Sequence, residues 1–156
     1  MACDNYIHAG IFAIAILSVV GCTPVPDREH LLVSGPVHVS ANQRFSIKSP
    51  NLLHTPNYWN SVCLLPDLPT QLSEVPNFGF VGASGKPFSP EVHVRNADGI
   101  EDSLPDSGDL GTEDGIWLCF QPKGDNVQLH SPYTEVVILS PEPISIKSIK
   151  WHSSDK

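Results

Sequence analysis

The stretch Gly115-Ile-Trp-Leu-Cys-Phe-Gln121 decides the fold class, because it alternates in the way a β-strand does. Its even-numbered residues are apolar and fall on one face, whereas Trp117 and Cys119 fall on the other. Both faces carry residue types that proteins commonly bury. We therefore expect a strand that is covered on both sides.

The C-terminal segment shows a related pattern with one interruption. Ile144 and Ile146 point to one face of an extended chain, but Ile149 and Trp151 point to the other. A β-bulge near Lys147–Ser148 would absorb this change and return all four apolar side chains to one face. The segment therefore predicts a bulged strand with Trp151 closing the core.

The proline distribution extends this prediction to the whole chain. All 15 prolines follow Cys22, and each would cost about 3 kcal/mol inside a helix, so long helices are excluded. One helical turn remains plausible at Thr70–Val75. The strand candidates are Val37–Ser40, Arg44–Lys48, Trp59–Leu65, Phe78–Gly82, Glu91–Arg95, Gly115–Gln121, Thr134–Ser140 and Ile144–Trp151. About eight short strands predict an all-β fold, a small β-sandwich of immunoglobulin-like or related type.

The N-terminus contains an apolar run of 13 residues, Ala9–Gly21, which is followed by Cys22. A bilayer-spanning helix needs about 20 apolar residues, so the run fits the core of a secretory signal better. The ending Val19-Val20-Gly21-Cys22 resembles the lipobox of bacterial lipoproteins. That resemblance implies cleavage before Cys22 and a diacylglycerol on its sulfur. The alternative is a membrane-adjacent anchor that is never cleaved, because Met1–His8 lacks Lys and Arg.

The lipoprotein resemblance implies three parts of the chain. Residues 1–21 would be the signal peptide, residues 22–30 the lipidated cysteine with a Pro-rich tether, and residues 31–156 a single domain. Thr23, rather than Asp, follows the lipidated cysteine, which implies delivery to an outer membrane, facing the periplasm. The lipid would then be the only attached group, and no cofactor is expected.

The charge balance narrows the range of partners. The chain has 9 basic and 17 acidic residues, and loss of Asp4 with the signal leaves 9 − 16 = −7. An acidic protein gains no counterion-release affinity for nucleic acid, so we expect none to bind. Negative charge also disfavours a polybasic membrane patch, so the lipid would hold the protein at the membrane.

Two cysteines remain once the signal is removed and Cys22 is lipidated. In an oxidising compartment Cys63 and Cys119 are expected to form a disulfide between strands distant in sequence. The alternative, a cysteine metal site, lacks a paired Cys-x-x-Cys spacing. A bridge that closes 56 positions is worth about 4 kcal/mol in the chain-entropy model.

The acidic stretch Asp98–Asp114 is the main candidate site. Carboxylates near glycines could bind calcium, although the spacing does not match an EF-hand loop. The same charges could steer a basic protein partner, and the plainest interpretation is a long solvated loop between strands. Its acidic residues are Asp98, Glu101, Asp102, Asp106, Asp109, Glu113 and Asp114, with no basic residue among them.

Two other motifs indicate structure more than chemistry. Gly79–Pro87 lacks the spacing of a phosphate-binding loop and predicts a hairpin turn. His38 and His93 each lie between valines, and could meet if their strands paired, but two ligands do not make a metal site. Half-exposed strand positions are the simpler interpretation of both histidines.

No catalytic motif stands out in the sequence. The preferred function is therefore a lipid-anchored, non-catalytic module that binds a protein in the cell envelope, as an immunity or inhibitor lipoprotein does. A structural or assembly lipoprotein of an envelope complex is the first alternative. A carbohydrate-binding module or a hydrolase without a recognisable motif is the second.

Overall fold

The computed structural model describes residues 28–54, 59–67, 79–121 and 131–154, and the regular structure in these segments is all β. The strands are β1 Arg28–Val39, β2 Arg44–Leu53, β3 Trp59–Pro66, β4 Phe80–Val81, β5 Pro87–Phe88, β6 Glu91–Asn96, β7 Glu101–Leu104, β8 Asp106–Thr112, β9 Gly115–Phe120, β10 Tyr133–Leu139 and β11 Ile144–Ser154. The all-β prediction is confirmed. The helical turn proposed at Thr70–Val75 lies outside the described residues.

The strands form two antiparallel sheets and one small hairpin. The larger sheet has the order β1-β11-β3-β9-β8, and the smaller has the order β2-β10-β6-β7. At one side of the sandwich the end strands of the two sheets are β1 and β2. At the other side they are β7 and β8, which are connected through Pro105. Apolar side chains of both sheets form one core cluster, so the fold is a small β-sandwich.

The core follows the alternation of the strands. Val92, Val94, Val136 and Ile138 of the smaller sheet are buried, with the half-buried His93 between the first two and the buried Val137 between the last two. Tyr133 and Trp151 connect the sheets, because their ring centroids lie 6.4 Å apart with planes inclined by 56°. The other buried members of the cluster are Val39, Ile47, Leu53, Val62, Leu64, Phe80, Leu104, Leu118, Phe120, Ile144, Ile146 and Ile149.

The bulge predicted in the last strand is confirmed. The pairing of β11 with β3 shifts between Ile146 and Ser148, so Ile144 and Ile146 lie in the same core as Ile149 and Trp151. The extra residue of the bulge explains why apolar side chains of opposite parity share one face.

The glycine-rich segment forms the predicted hairpin, in which Phe80–Val81 pairs with Pro87–Phe88. The Glu142 carboxylate accepts a hydrogen bond from the Ala83 N–H at 2.6 Å and closes the turn from outside. A Cβ on Gly79 would lie 2.8 Å from the Phe88 carbonyl oxygen, so the close approach of the two strands requires glycine there.

Two predictions about the chain's organisation differ from the structure. β1 begins at Arg28 and pairs with β11 from there on, whereas a tether was expected through residue 30. The stretch expected to be a loop, 98–114, contains β7 and β8. Pairing explains both, since Arg28–His30 bonds to the end of β11 and Asp106–Thr112 bonds to the strongly apolar β9.

Candidate protein-binding edge

The acidic residues lie along one side of the sandwich. β7 is the last strand of the smaller sheet and β8 is the last strand of the larger sheet, and Pro105 connects them. We call residues 98–114 the acidic edge. The structure therefore presents these residues on ordered strands and two tight turns, and it separates them into groups with different environments.

Glu101 of β7 is part of an ion-pair network on the outer face of the smaller sheet. Its carboxylate accepts hydrogen bonds from the Arg44 guanidinium at 2.6 and 2.7 Å and from Arg95 Nε at 2.8 Å. Arg95 also donates to Glu135 at 2.9 Å. The hydrogen bond from Arg44, followed by those from Arg95, lowers the pKa of Glu101 below its ordinary value.

Asp102, the next residue, faces the opposite side of β7. Its carboxylate accepts a hydrogen bond from the phenol of Tyr133, which is fully buried in the core. A buried phenol needs a partner, and a charged acceptor makes a stronger bond than a neutral one. Asp102 therefore stabilises the buried position of Tyr133 by accepting a hydrogen bond from its phenol.

Asp106 shapes the start of β8. Its carboxylate accepts hydrogen bonds from the Gly108 N–H at 3.0 Å and from the Ser89 hydroxyl at 3.1 Å. The register between β8 and β9 shifts between Asp106 and Gly108, where Gly108 has φ of 120°, a value that other residues rarely adopt. Asp106 therefore stabilises the bulge from which the regular part of β8 begins.

The remaining four acidic residues are exposed. They are Asp98 in the turn before β7, Asp109 on β8, and Glu113 and Asp114 in the turn between β8 and β9. Within the described residues, none of these four carboxylates is paired with a basic side chain. These four positions of the acidic edge thus carry charge that no described basic side chain neutralises, on an ordered framework.

The described residues form neither the calcium site considered for the acidic stretch nor a metal site at His38 and His93. In the segments that the structure describes, no three His, Cys, Asp or Glu side chains are grouped closely enough to hold a metal ion. His38 lies on β1 and His93 lies on β6, which belong to different sheets, so their strands do not pair. His93 instead lies 3.7 Å from the carboxylate of Glu91.

The predicted disulfide is confirmed between Cys63 of β3 and Cys119 of β9. The two residues lie directly opposite each other in one sheet, so the bridge joins neighbouring strands. The immunoglobulin disulfide joins two sheets instead. Because β8 pairs with β9, the bridge also ties the strand that carries the acidic edge to the centre of the larger sheet.

A polar cluster of Glu29, Lys150 and His152 covers the outer face of the larger sheet near this disulfide. The sequence did not predict it. Lys150 Nζ lies 4.4 Å from the ring centroid of Trp117 and donates to the Glu29 carboxylate at 2.9 Å, with His152 Nδ1 3.0 Å from the same carboxylate. The bond from Lys150 lowers the pKa of Glu29. Alternation of Lys150 and His152 with Ile149 and Trp151 was the available signal.

Trp117 itself packs outside the main core, with Cys63 and Leu65. Its indole N–H donates to the Thr112 hydroxyl at 3.1 Å, at the end of β8. The prediction that β9 is covered on both faces is therefore confirmed, and Trp117 connects the end of β8 to this second buried cluster.

The predicted lipidation site, Cys22, lies outside the described residues. None of the described segments forms a helix that is long and apolar enough to cross a membrane. No protein-family model, curated protein or solved structure matches the chain.

Proposed function

We propose that this chain is a lipid-anchored protein of the bacterial cell envelope whose β-sandwich binds another protein and performs no chemistry of its own. The observation that supports this most is the set of exposed carboxylates at Asp98, Asp109, Glu113 and Asp114, which have no basic partner among the described residues and are held on ordered strands and turns. Charges that a fold does not neutralise are available to a partner of opposite charge.

The chemistry of such a partner follows from the field of the acidic edge. With a formal charge of −7 after loss of the signal, the protein attracts basic surfaces over roughly a Debye length, about 8 Å at physiological salt. Proteins that attack nucleic acids or anionic membranes are often basic. An immunity or inhibitor lipoprotein that neutralises one of them is the most specific form of the proposal.

The test is cross-linking in the intact envelope, followed by purification through a tag after Lys156 and mass spectrometry. We expect one dominant basic protein, and expect it to be lost with Asp109→Asn/Glu113→Gln/Asp114→Asn. The matched control is Glu91→Gln, which removes an exposed carboxylate on β6 that lies outside residues 98–114. Recovery of no partner, or equal recovery with both variants, would contradict the proposal.

Membrane attachment is tested separately through Cys22. Cells that express the full chain are labelled with clickable palmitate and fractionated. The wild type should incorporate label and sediment with the outer membrane, and Cys22→Ser should lose both properties. Undiminished label in the variant would exclude lipidation at this cysteine. It would not test partner binding by the acidic edge.

A further inference from the structure

We infer that β8 is a docking strand, to which a basic, extended segment of a partner protein adds as a sixth strand of the larger sheet. This inference rests on the proposed function and specifies its binding mode. In the described part of the chain β8 pairs with β9 alone, so its other side is an open sheet edge. Open edges present unpaired backbone groups to any extended chain.

The pairing of β9 with β3 shows which backbone groups of β9 point toward β8. Cys119 lies opposite Cys63 with their Cα atoms 4.1 Å apart, a spacing typical of a non-hydrogen-bonded pair. The N–H and C=O of Cys119 therefore face β8. The Ser107 hydroxyl confirms this direction, because it donates to the Cys119 carbonyl oxygen at 2.8 Å.

This direction fixes which groups of β8 face the open edge. Hydrogen-bonded pairs alternate along an antiparallel ladder, so Leu110 and Thr112, beyond the bulge, use their backbone groups toward β9. The N–H and C=O of Asp109 and Gly111 point the other way. Two residues with this spacing provide two donors and two acceptors, which is the pattern that an added strand needs.

The other three edges of the five-stranded and four-stranded sheets are less suited to strand addition. β1 contains two register irregularities and Pro36, and β2 contains Pro50. β7 is only four residues long. Gly108–Thr112, in contrast, keeps a regular register with β9 and contains no proline.

Charge specifies the occupant of this edge. Asp109 is one of the two residues with outward backbone groups, and Glu113 and Asp114 follow at the end of the strand, all exposed. Lysine or arginine side chains on an added strand would pair with these carboxylates, whereas an acidic strand would be repelled. A second copy of this acidic chain is disfavoured for the same reason.

Gly111 allows a test that separates the backbone from the side chains. A Cβ on Gly111 would have no atom within 4 Å, and its φ lies outside the left-handed region, so a side chain fits. Gly111→Ala keeps the outward N–H, whereas Gly111→Pro removes it without removing a bond to β9. The two variants therefore differ mainly in the donor that an added strand would use.

The probe is a capped peptide of alternating lysine and valine, titrated into the full chain in mild detergent and followed by amide NMR. We expect the largest shifts and slowed amide exchange at Asp109 and Gly111, and binding about tenfold weaker for Gly111→Pro than for Gly111→Ala. The matched control peptide alternates glutamate and valine, and should not bind. Shifts located elsewhere, equal binding by the two variants, or equal binding of the acidic peptide would overturn the inference.

The outcome can be separated from that of the proposed function. An envelope partner that cross-links equally to Gly111→Ala and Gly111→Pro would overturn strand addition and leave the proposed function standing. Failure to cross-link any partner would overturn the proposed function itself. Self-association of the chain through β8, detected by sedimentation, would show that the acidic edge does not select basic strands and would overturn the inference.

Discussion

The acidic residues on β7 and those on β8 are close in sequence but have different environments. On β7, Glu101 accepts hydrogen bonds from Arg44 and Arg95, and Asp102 accepts one from the buried Tyr133. On β8 and the turn after it, Asp109, Glu113 and Asp114 are exposed and unpaired within the described residues.

This difference shows that a run of like charges need not have one role. β7 belongs to a sheet in which β6 and β2 supply arginines to Glu101, so its carboxylates stabilise the fold. β8 is held by backbone pairing, by the disulfide behind β9 and by Thr112, and its exposed Asp109 makes no ion pair within the described residues. Substitutions on the two strands should therefore affect different properties.

The largest expected effect comes from removing the support of β8. Cys63→Ala/Cys119→Ala should lower the free energy of unfolding by about 4 kcal/mol, measured by urea denaturation. Amide exchange in β8 and β9 should accelerate more than exchange in β7, which lies in the other sheet. Equal acceleration in β7 and β8 would show that the bridge does not support β8 in particular.

A smaller loss is expected from the buried end of β7. Tyr133→Phe removes the donor to the Asp102 carboxylate and should cost about 2 kcal/mol in urea denaturation at neutral pH. Partner binding should not change. A loss below about 0.5 kcal/mol would mean that the phenol contributes little beyond packing.

The next effect is pH-dependent stability from Glu101. Glu101→Gln should cost about 1 kcal/mol at neutral pH, because the ion pairs are partly exposed. The pKa of Glu101 is lowered in the fold, so its contribution is present above the ordinary glutamate pKa and lost as the pH falls through the lowered value.

The comparison is made by thermal denaturation from neutral to acidic pH. The difference between wild type and Glu101→Gln should shrink as the pH falls. Glu113→Gln is the matched control, since Glu113 is exposed and has no basic partner within the described residues. A constant difference across the pH range would contradict the role of the ion pairs.

The smallest effect on stability is expected on β8. Asp109→Asn/Glu113→Gln/Asp114→Asn should change the free energy of unfolding by less than about 0.5 kcal/mol. The same variant should weaken binding of the lysine–valine peptide and reduce its salt dependence, measured by titration at low and high salt. A marked loss of stability would show that these carboxylates serve the fold, as those of β7 do.

The sequence allowed prediction of the features that depend on local alternation. The two-sided burial of Gly115–Gln121 and the bulge in β11 follow from spacing and parity. The pairing of Cys63 with Cys119 was expected from the lipoprotein resemblance, which removes Cys3 with the signal and assigns Cys22 to the lipid. β7 and β8 were missed, because acidic and glycine residues are depleted in strands and only Leu104 of β7 reaches the core.

The remaining features depend on contacts between distant segments. Glu29 meets Lys150 and His152 only because β1 pairs with β11, and Arg44 reaches Glu101 across the smaller sheet. Alternation in β11 places Lys150 and His152 on one face, but no spacing in the sequence indicates which distant residue they contact. Some carboxylates of the acidic stretch bond within the fold, and others have no basic partner among the described residues. Telling the two groups apart therefore required the strand order.

The most direct test of partner binding at the acidic edge is amide hydrogen exchange on the full chain with its cross-linked envelope partner bound. Strand addition at β8 predicts new protection at Asp109 and Gly111, with exchange in Glu101–Leu104 unchanged. Protection at β7 or on another face, with β8 exchanging as it does in the unbound chain, would contradict it.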